Sequence, residues 1–141
     1  MYKKIIKYTD YNGVEREEPF YFNLNKAELI KWEGSTVGGM RAMSDKIIQT
    51  QDQEALIDLF ETIIQRSYGE KSADGKRFMK SPEILANFVS TEAYSNLFME
   101  LASNDLSASE FMNGIMPEDL LKAMREEQAN EGLHAAEPIR Q

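Results

Sequence analysis

The chain contains no cysteine and a single histidine, His134. The missing thiols exclude disulfides and thiolate metal sites, and they fit an intracellular location. With one histidine and no cysteine, neither a His/Cys zinc centre nor a Cys-His pair can be assembled. A hydrolytic triad would have only His134 to draw on, in a stretch without periodicity. No run of about 18 apolar residues occurs, so no membrane-spanning helix is expected. The opening MYKKIIKYTDY lacks the apolar core of a secretory signal and reads as mature structure. Positive charge is also scarce: 16 Lys and Arg face 24 Asp and Glu, for a net charge of −8. Direct binding to nucleic acid is therefore disfavoured. The acidic excess fits solubility and the steering of basic partners, with a nucleic-acid mimic as the sharper alternative.

What is present is an ordinary globular composition. The 141 residues are 42% apolar and 28% charged. A chain of this length makes one domain and buries about 70% of its unfolded surface. Residues 1–24 read as a β-hairpin. Tyr2–Tyr8 and Phe20–Leu24 are rich in β-branched and aromatic residues, and Asn12-Gly13 between them is a strong two-residue turn signal. Strict pairing about that turn sets Ile5 opposite Phe20. An extra residue near Glu17-Glu18-Pro19 sets Ile6 opposite Phe20 and Tyr2 opposite Leu24. The bulged register is preferred, because it gathers the larger apolar set on one face and accommodates the missing N–H of Pro19.

From Asn25 the period becomes helical. Asn25 is a cap for KAELIKWE, with Leu29, Ile30 and Trp32 expected to be buried and Gly34 as the end. A second helix is expected over MRAMSDKIIQ, residues 40–49. A third begins after Asp52, with Leu56, Leu59, Phe60, Ile63 and Ile64 in one stripe and Gly69 as its left-handed terminator. Ser81-Pro82-Glu83 and Ser90-Thr91-Glu92 each start a helix. Ser107–Glu110 reads as a capping box for a helix ending near Gly114, and Pro117 opens a last one. The expected architecture is α+β: an N-terminal hairpin packed on a cluster of about six short helices. It forms one domain over 1–128, with hairpin 1–24 and helical part 25–128. Residues 129–141 are expected to be a flexible tail.

The segment SYGEKSADGKRF, residues 67–78, invites a test for phosphate or metal binding. A P-loop needs GxxxxGK[ST] after a strand. Here Gly69 and Gly75 stand one residue too far apart, Arg77 replaces the hydroxyl residue, and a helix precedes. An EF-hand needs oxygen ligands at its first, third and fifth positions, and Lys71 stands where one is required. Both matches fail. The segment reads as a connector: Gly69 ends a helix, Asp74-Gly75 turns, and Phe78 anchors. Lys71, Lys76, Arg77 and Lys80 form a basic cluster that grips phosphate or an acidic partner or, as is more usual, is simply a solvated loop. No carboxylate pair stands out, and no cofactor or metal is implied. Apolar residues concentrate near the C-terminus: Phe111, Met112, Ile115, Met116, Leu120, Leu121 and Met124. Core packing is their default role. A deformable docking face, opened by moving the last helix, is the alternative.

The blocks ETIIQRSYGEKSADGKRFMKS, TEAYSNLFMELASN and EFMNGIMP, with FYFNLNKAELIKWE upstream, resemble the tail assembly chaperones of long-tailed, siphovirus-type bacteriophages of Gram-positive hosts. The likeness spans roughly residues 20 to 117 and fades over Lys31–Val37 and the last two dozen residues. It implies a non-enzymatic protein of the host cytoplasm, without cofactor, nucleic acid or membrane. Its implied partners are the tape-measure protein, the major tail tube protein and a longer, frameshifted form of the chain. Tyr68, Gly69, Asp74, Gly75, Phe78, Tyr94, Phe98 and Gly114, which carry the likeness, read as caps, turns and core. Two other classes stand beside it. An acidic inhibitor acting on a host protein requires continuous rows of carboxylates. A small acid–base enzyme requires a concave pocket with carboxylates of shifted pKa.

Overall fold

The structure is a computed structural model and describes residues 1–35 and 53–117. In chain order the elements are β1 (Tyr2–Thr9), β2 (Glu15–Phe22), α1 (Lys26–Ser35), α2 (Gln53–Ser67), β3 (Tyr68–Lys71), β4 (Phe78–Met79), α3 (Pro82–Val89), α4 (Glu92–Ser103) and α5 (Asp105–Ile115). The α+β class holds, with an N-terminal antiparallel hairpin and, among the described residues, five helices. The helices expected over 40–49 and after Pro117, the cap Asp52 and the tail 129–141 lie outside the described residues.

The sheet is larger than the sequence indicates. Four strands run in the order β1-β2-β3-β4, so the presumed connector 67–78 is itself a hairpin. Its turn is built as expected at Asp74-Gly75. Gly75 takes φ 73°, its N–H donates to the Ser72 carbonyl, and the Asp74 carboxylate accepts from the Ser72 hydroxyl and the Lys76 N–H. The Ser72 hydroxyl, ahead of the Lys76 N–H, holds the Asp74 carboxyl below its ordinary range.

Neither expected register of the first hairpin is adopted. Tyr2 pairs with Phe22, Lys4 with Phe20, Ile5 with Pro19 and Ile6 with Glu18. The turn is a three-residue loop, Tyr11-Asn12-Gly13. The Asp10 N–H donates to the Val14 carbonyl, Gly13 returns a bond to Asp10, and Gly13 alone is needed at positive φ (81°). The Asp10 carboxylate accepts from the N–H groups of Asn12 and Val14 and from Arg16 at 2.6 Å. That loop shifts the pairing by two residues from the bulged register. Because the side-chain period is two, the face chosen for that register survives. Tyr2, Ile6, Tyr8, Phe20 and Phe22 still share the inner side.

Pro19 needs no bulge. The Asp10–Val14 bond makes the even-numbered pairs the hydrogen-bonded ones, so Pro19 opposite Ile5 owes nothing to β1. Its missing donor matters on the other side. β2 pairs with β3 only at Tyr21–Gly69 and Phe22–Tyr68. The next hydrogen-bonded pair would join Pro19 to Lys71, and Pro19 has no N–H to give. The two strands diverge there.

The core lies between the sheet's inner face and the helices. Phe88 of α3 is its hub: stacked on Tyr68 at 4.1 Å, and 5.2, 5.8 and 5.5 Å from Phe20, Phe22 and Tyr94. Burial pushes the Tyr68 hydroxyl up to about 12. Leu59, Ile63, Ile64, Leu97, Leu101, Phe111 and Ile115 complete the packing, with Leu29 and Trp32 from α1. Two expected core residues are not there: Ile30 is 70% and Leu56 38% exposed.

Caps explain the helix boundaries. Asn25 and Glu28 bond reciprocally, side chain to N–H, opening α1, which runs to Ser35. Ser81 and Thr91 cap α3 and α4 as expected, with Pro82 in the first turn of α3. For α5 the cap is Asn104, whose side chain accepts from the Ser107 N–H. Ser107 thus lies inside the first turn rather than outside it. α5 ends at Ile115, near Gly114 as expected, and Gly114 itself lies in its last turn. A Cβ there would lie 2.8 Å from Tyr2 Cγ, so the glycine permits close approach to β1. Gly69 is no left-handed terminator. It is a strand residue, and a Cβ would fall 2.7 Å from the Phe78 ring and 2.9 Å from the Met79 carbonyl. The end of α2 is satisfied otherwise. The Ser67 carbonyl accepts from the Asn23 N–H, and the Arg66 carbonyl from the Lys80 ammonium at 2.8 Å.

Candidate functional site

The basic cluster resolves into separate roles. Lys80 is a clamp: its ammonium donates to the Asn23 carbonyl (2.7 Å), the Glu28 carboxylate (2.6 Å) and the Arg66 carbonyl. Those three bonds fill its donor capacity and join the ends of β2 and α2 to the start of α1. Lys71 instead lies over the Tyr21 ring, 4.4 Å from its centroid, and is exposed. Lys76 and Arg77 are exposed on the second turn.

The two faces of the sheet differ sharply. Helices cover the inner side. On the outer side Lys3, Ile5, Lys7 and Thr9 of β1 are exposed, as are Glu15, Glu17 and Pro19 of β2. No described element covers them. Where β2 and β3 diverge, an open cleft of about 690 Å³ forms, lined by Pro19, Tyr21, Tyr68, Gly69 and Lys71 among others. By the ladder alternation, Glu17 and Lys71 direct main-chain groups into this gap, where no strand pairs with them.

The C-terminal apolar set divides. Phe111 and Ile115 are core, 1% and 0% exposed. The Phe111 ring packs edge-on to Tyr2 and Phe22 at 5.5 and 5.2 Å, and the Ile115 carbonyl accepts from the Leu24 N–H. Met112 and Met116 are half-buried against that core. Leu120, Leu121 and Met124 lie outside the described residues. The outer sheet face was the surface that sequence reasoning missed. Its signal lay in the alternation Lys3, Ile5, Lys7 and Glu17, Pro19, Tyr21, legible only once the register is known.

Among the described residues, no three or more acidic or histidine side chains gather as a metal site, and no helix is long and apolar enough to cross a membrane. Asp74, at the cleft's rim, has its pKa lowered, the wrong direction for a general acid. Several carboxylates are engaged internally: Asp10 with Arg16, Glu28 with Lys80, Glu100 with Lys4, and Glu18 with the Tyr8 hydroxyl. This lends no support to rows of free charge imitating a nucleic acid.

Comparison with known proteins identifies a family. No curated protein and no solved structure matches the chain. A family model described as phage tail assembly chaperone matches residues 1–141. The chain therefore belongs to the phage tail assembly chaperone family.

Proposed function

We propose that this chaperone binds the tape-measure protein of its phage in the host cytoplasm and keeps it soluble. It then helps recruit tube subunits and leaves before the tail is finished. The whole-chain family match carries this reading. The phage is of the siphovirus type with a Gram-positive host, and a frameshifted longer form shares the task. A tape-measure protein presents long apolar helical stripes until the tube encloses it. A chaperone for it needs apolar contact, a soluble exterior and an affinity low enough for release. The net charge of −8 suits the second requirement. For the first, Met112 and Met116 offer adaptable contacts at the edge of the core, and Phe111 and Ile115 lie directly beneath. Leu120, Leu121 and Met124 extend the same apolar set. The role is binding, not catalysis.

Co-expression tests it. The tape-measure protein encoded by the same phage is produced with and without this chain and its longer form. It is expected in the soluble fraction, co-purifying, only when the chaperone is present. Equal precipitation in both cases overturns the proposal.

A further inference from the structure

The outer face of the sheet carries a strip that neither core packing nor capping explains. Ile5 and Pro19 oppose each other on β1 and β2, with Ile5 54% exposed. Tyr21 follows Pro19 on the same face, opposite Lys3. Across the next strand pair come Lys71, its ammonium over the Tyr21 ring, and Phe78, which pairs with Lys71. Gly69 completes the surface. Lacking a Cβ, it lets the Phe78 ring lie across β3 toward Tyr21. Aromatic and aliphatic area thus runs across the sheet, with Ile5 and Pro19 exposed and Tyr21 and Phe78 partly so.

Around Tyr21 its charge is the opposite of the molecule's, while Glu17 and Glu15 lie on the same face further along β2, opposite Lys7 and Thr9. The chain carries −8 overall, yet Tyr21 is flanked by Lys3 on one side and Lys71 on the other. Both lysines are exposed, and among the described residues neither forms an ion pair with a carboxylate. Three other basic groups are committed to carboxylates: Lys4 to Glu100, Arg16 to Asp10, Lys80 to Glu28. An apolar strip edged by two uncommitted cations complements a segment with apolar residues on one side and carboxylates beside them.

We propose that this strip, centred on Tyr21, docks an acidic amphipathic segment of a protein partner, its apolar side chains on Ile5, Pro19 and Phe78 and its carboxylates on Lys3 and Lys71. The inference rests on the client-binding role only in taking the partner to be a protein. It assigns a face and a charge preference that the role does not supply.

The test uses the full chain and two synthetic peptides. One carries leucines on one helical face and glutamates on the other; its twin has lysines in place of the glutamates. Binding is followed by amide shifts in ¹⁵N spectra and by titration. The glutamate peptide is expected to bind about tenfold more tightly than its twin at low salt, and to lose that advantage as salt rises. Shifted amides are expected in residues 3–7, 19–21, 69–71 and 78. K3E/K71E is expected to abolish or reverse the preference, and Ile5→Ser/Tyr21→Ser to remove binding of both peptides, each with unchanged far-UV circular dichroism. Three results would overturn the proposal. These are tighter binding of the lysine peptide, shifts confined to another surface, and self-association through this face that the same substitutions abolish. The same variants then enter the co-expression assay. A parent chain that binds neither peptide yet still solubilises the tape-measure protein sinks the strip and leaves the client role standing. One that binds the peptides but solubilises nothing does the reverse.

Discussion

The inner and outer faces of the sheet are made from alternate residues of the same strands, yet they are different materials. Inward, β1 and β2 present Tyr2, Ile6, Tyr8, Phe20 and Phe22 to the core, where Tyr2, Phe20 and Phe22 make aromatic contacts with Tyr68, Phe88 or Phe111. Outward, the same strands present Lys3, Ile5, Lys7 and Pro19 to solvent, with Tyr21 partly exposed beside them. The difference separates stability from recognition along one strand. Neighbouring residues should therefore fail in different assays.

The sharpest form of that comparison is Phe22 against Tyr21. Phe22 is fully buried and touches three aromatic rings. Phe22→Ala should cost about 3–5 kcal/mol, the usual range for a deleted core aromatic. Tyr21→Ala should cost less than about 1 kcal/mol, because its ring faces outward and half-exposed positions relax. Urea denaturation of both variants measures the gap. Equal costs would mean that the outer face is structural after all.

The next largest effect tests whether the sheet's far edge depends on the Lys80 clamp. Lys80→Met removes one ammonium and leaves Glu28 and the Asn23 and Arg66 carbonyls without it. Charged hydrogen bonds contribute more than neutral ones, but Lys80 remains partly exposed. A loss of about 2 kcal/mol is expected. Hydrogen exchange should rise first at Asn23 and along α1. A variant as stable as the parent would return Lys80 to the pool of solvated lysines.

Gly114 gives a smaller effect with a diagnostic sign. Alanine inside a helix ordinarily gains about 0.5–1 kcal/mol over glycine, and less in the last turn, where Gly114 lies. Here the added Cβ meets Tyr2 on β1, and overpacking costs about 1–3 kcal/mol. Gly114→Ala should therefore destabilise, by about 1 kcal/mol. With Tyr2→Ala already in place, the same change should stabilise. Stabilisation in both backgrounds would show that the α5–β1 contact is not a close fit.

These residues also show what the sequence makes legible. Local signals were readable: the caps Asn25, Ser81 and Thr91, the Asp74-Gly75 turn and the apolar stripe at Leu59, Ile63 and Ile64 all stand where short-range chemistry puts them. Signals that depend on distant partners were not. Gly69 looks like a helix terminator in a one-dimensional reading, and Gly114 shows only as the neighbour of a helix end. Their purpose is visible only when Phe78 and Tyr2 arrive beside them. The second hairpin was hidden because β3 and β4 are two to four residues long, too short for an alternation to declare itself. The outer strip was hidden for the same reason at larger scale. Its members come from four strands, and a one-residue change of register would have turned it inward.

The last prediction concerns the proton on Tyr68, and it has no effect at neutral pH. Tyr68 lies on the inner side of β3, stacked on Phe88, and burial, assisted by Glu70, raises its folded pKa to about 12. In the unfolded chain it ionises near the ordinary value of 10.0. Below that value both states hold the proton and stability is independent of pH. Above it the unfolded chain releases a proton that the folded one keeps. Stability therefore falls as pH rises, until the folded group also ionises near 12. Tyr2 and Tyr8 are shifted upward too, Tyr2 by burial and Tyr8 by its bond to Glu18, so the whole chain is expected to weaken in alkali. Tyr68→Phe isolates one share. Its urea midpoint should decline less steeply than the parent's between about pH 10 and 12, while the two decline in parallel if the Tyr68 hydroxyl already meets water. A parallel decline would place the boundary between the two faces of the sheet on the wrong side of β3.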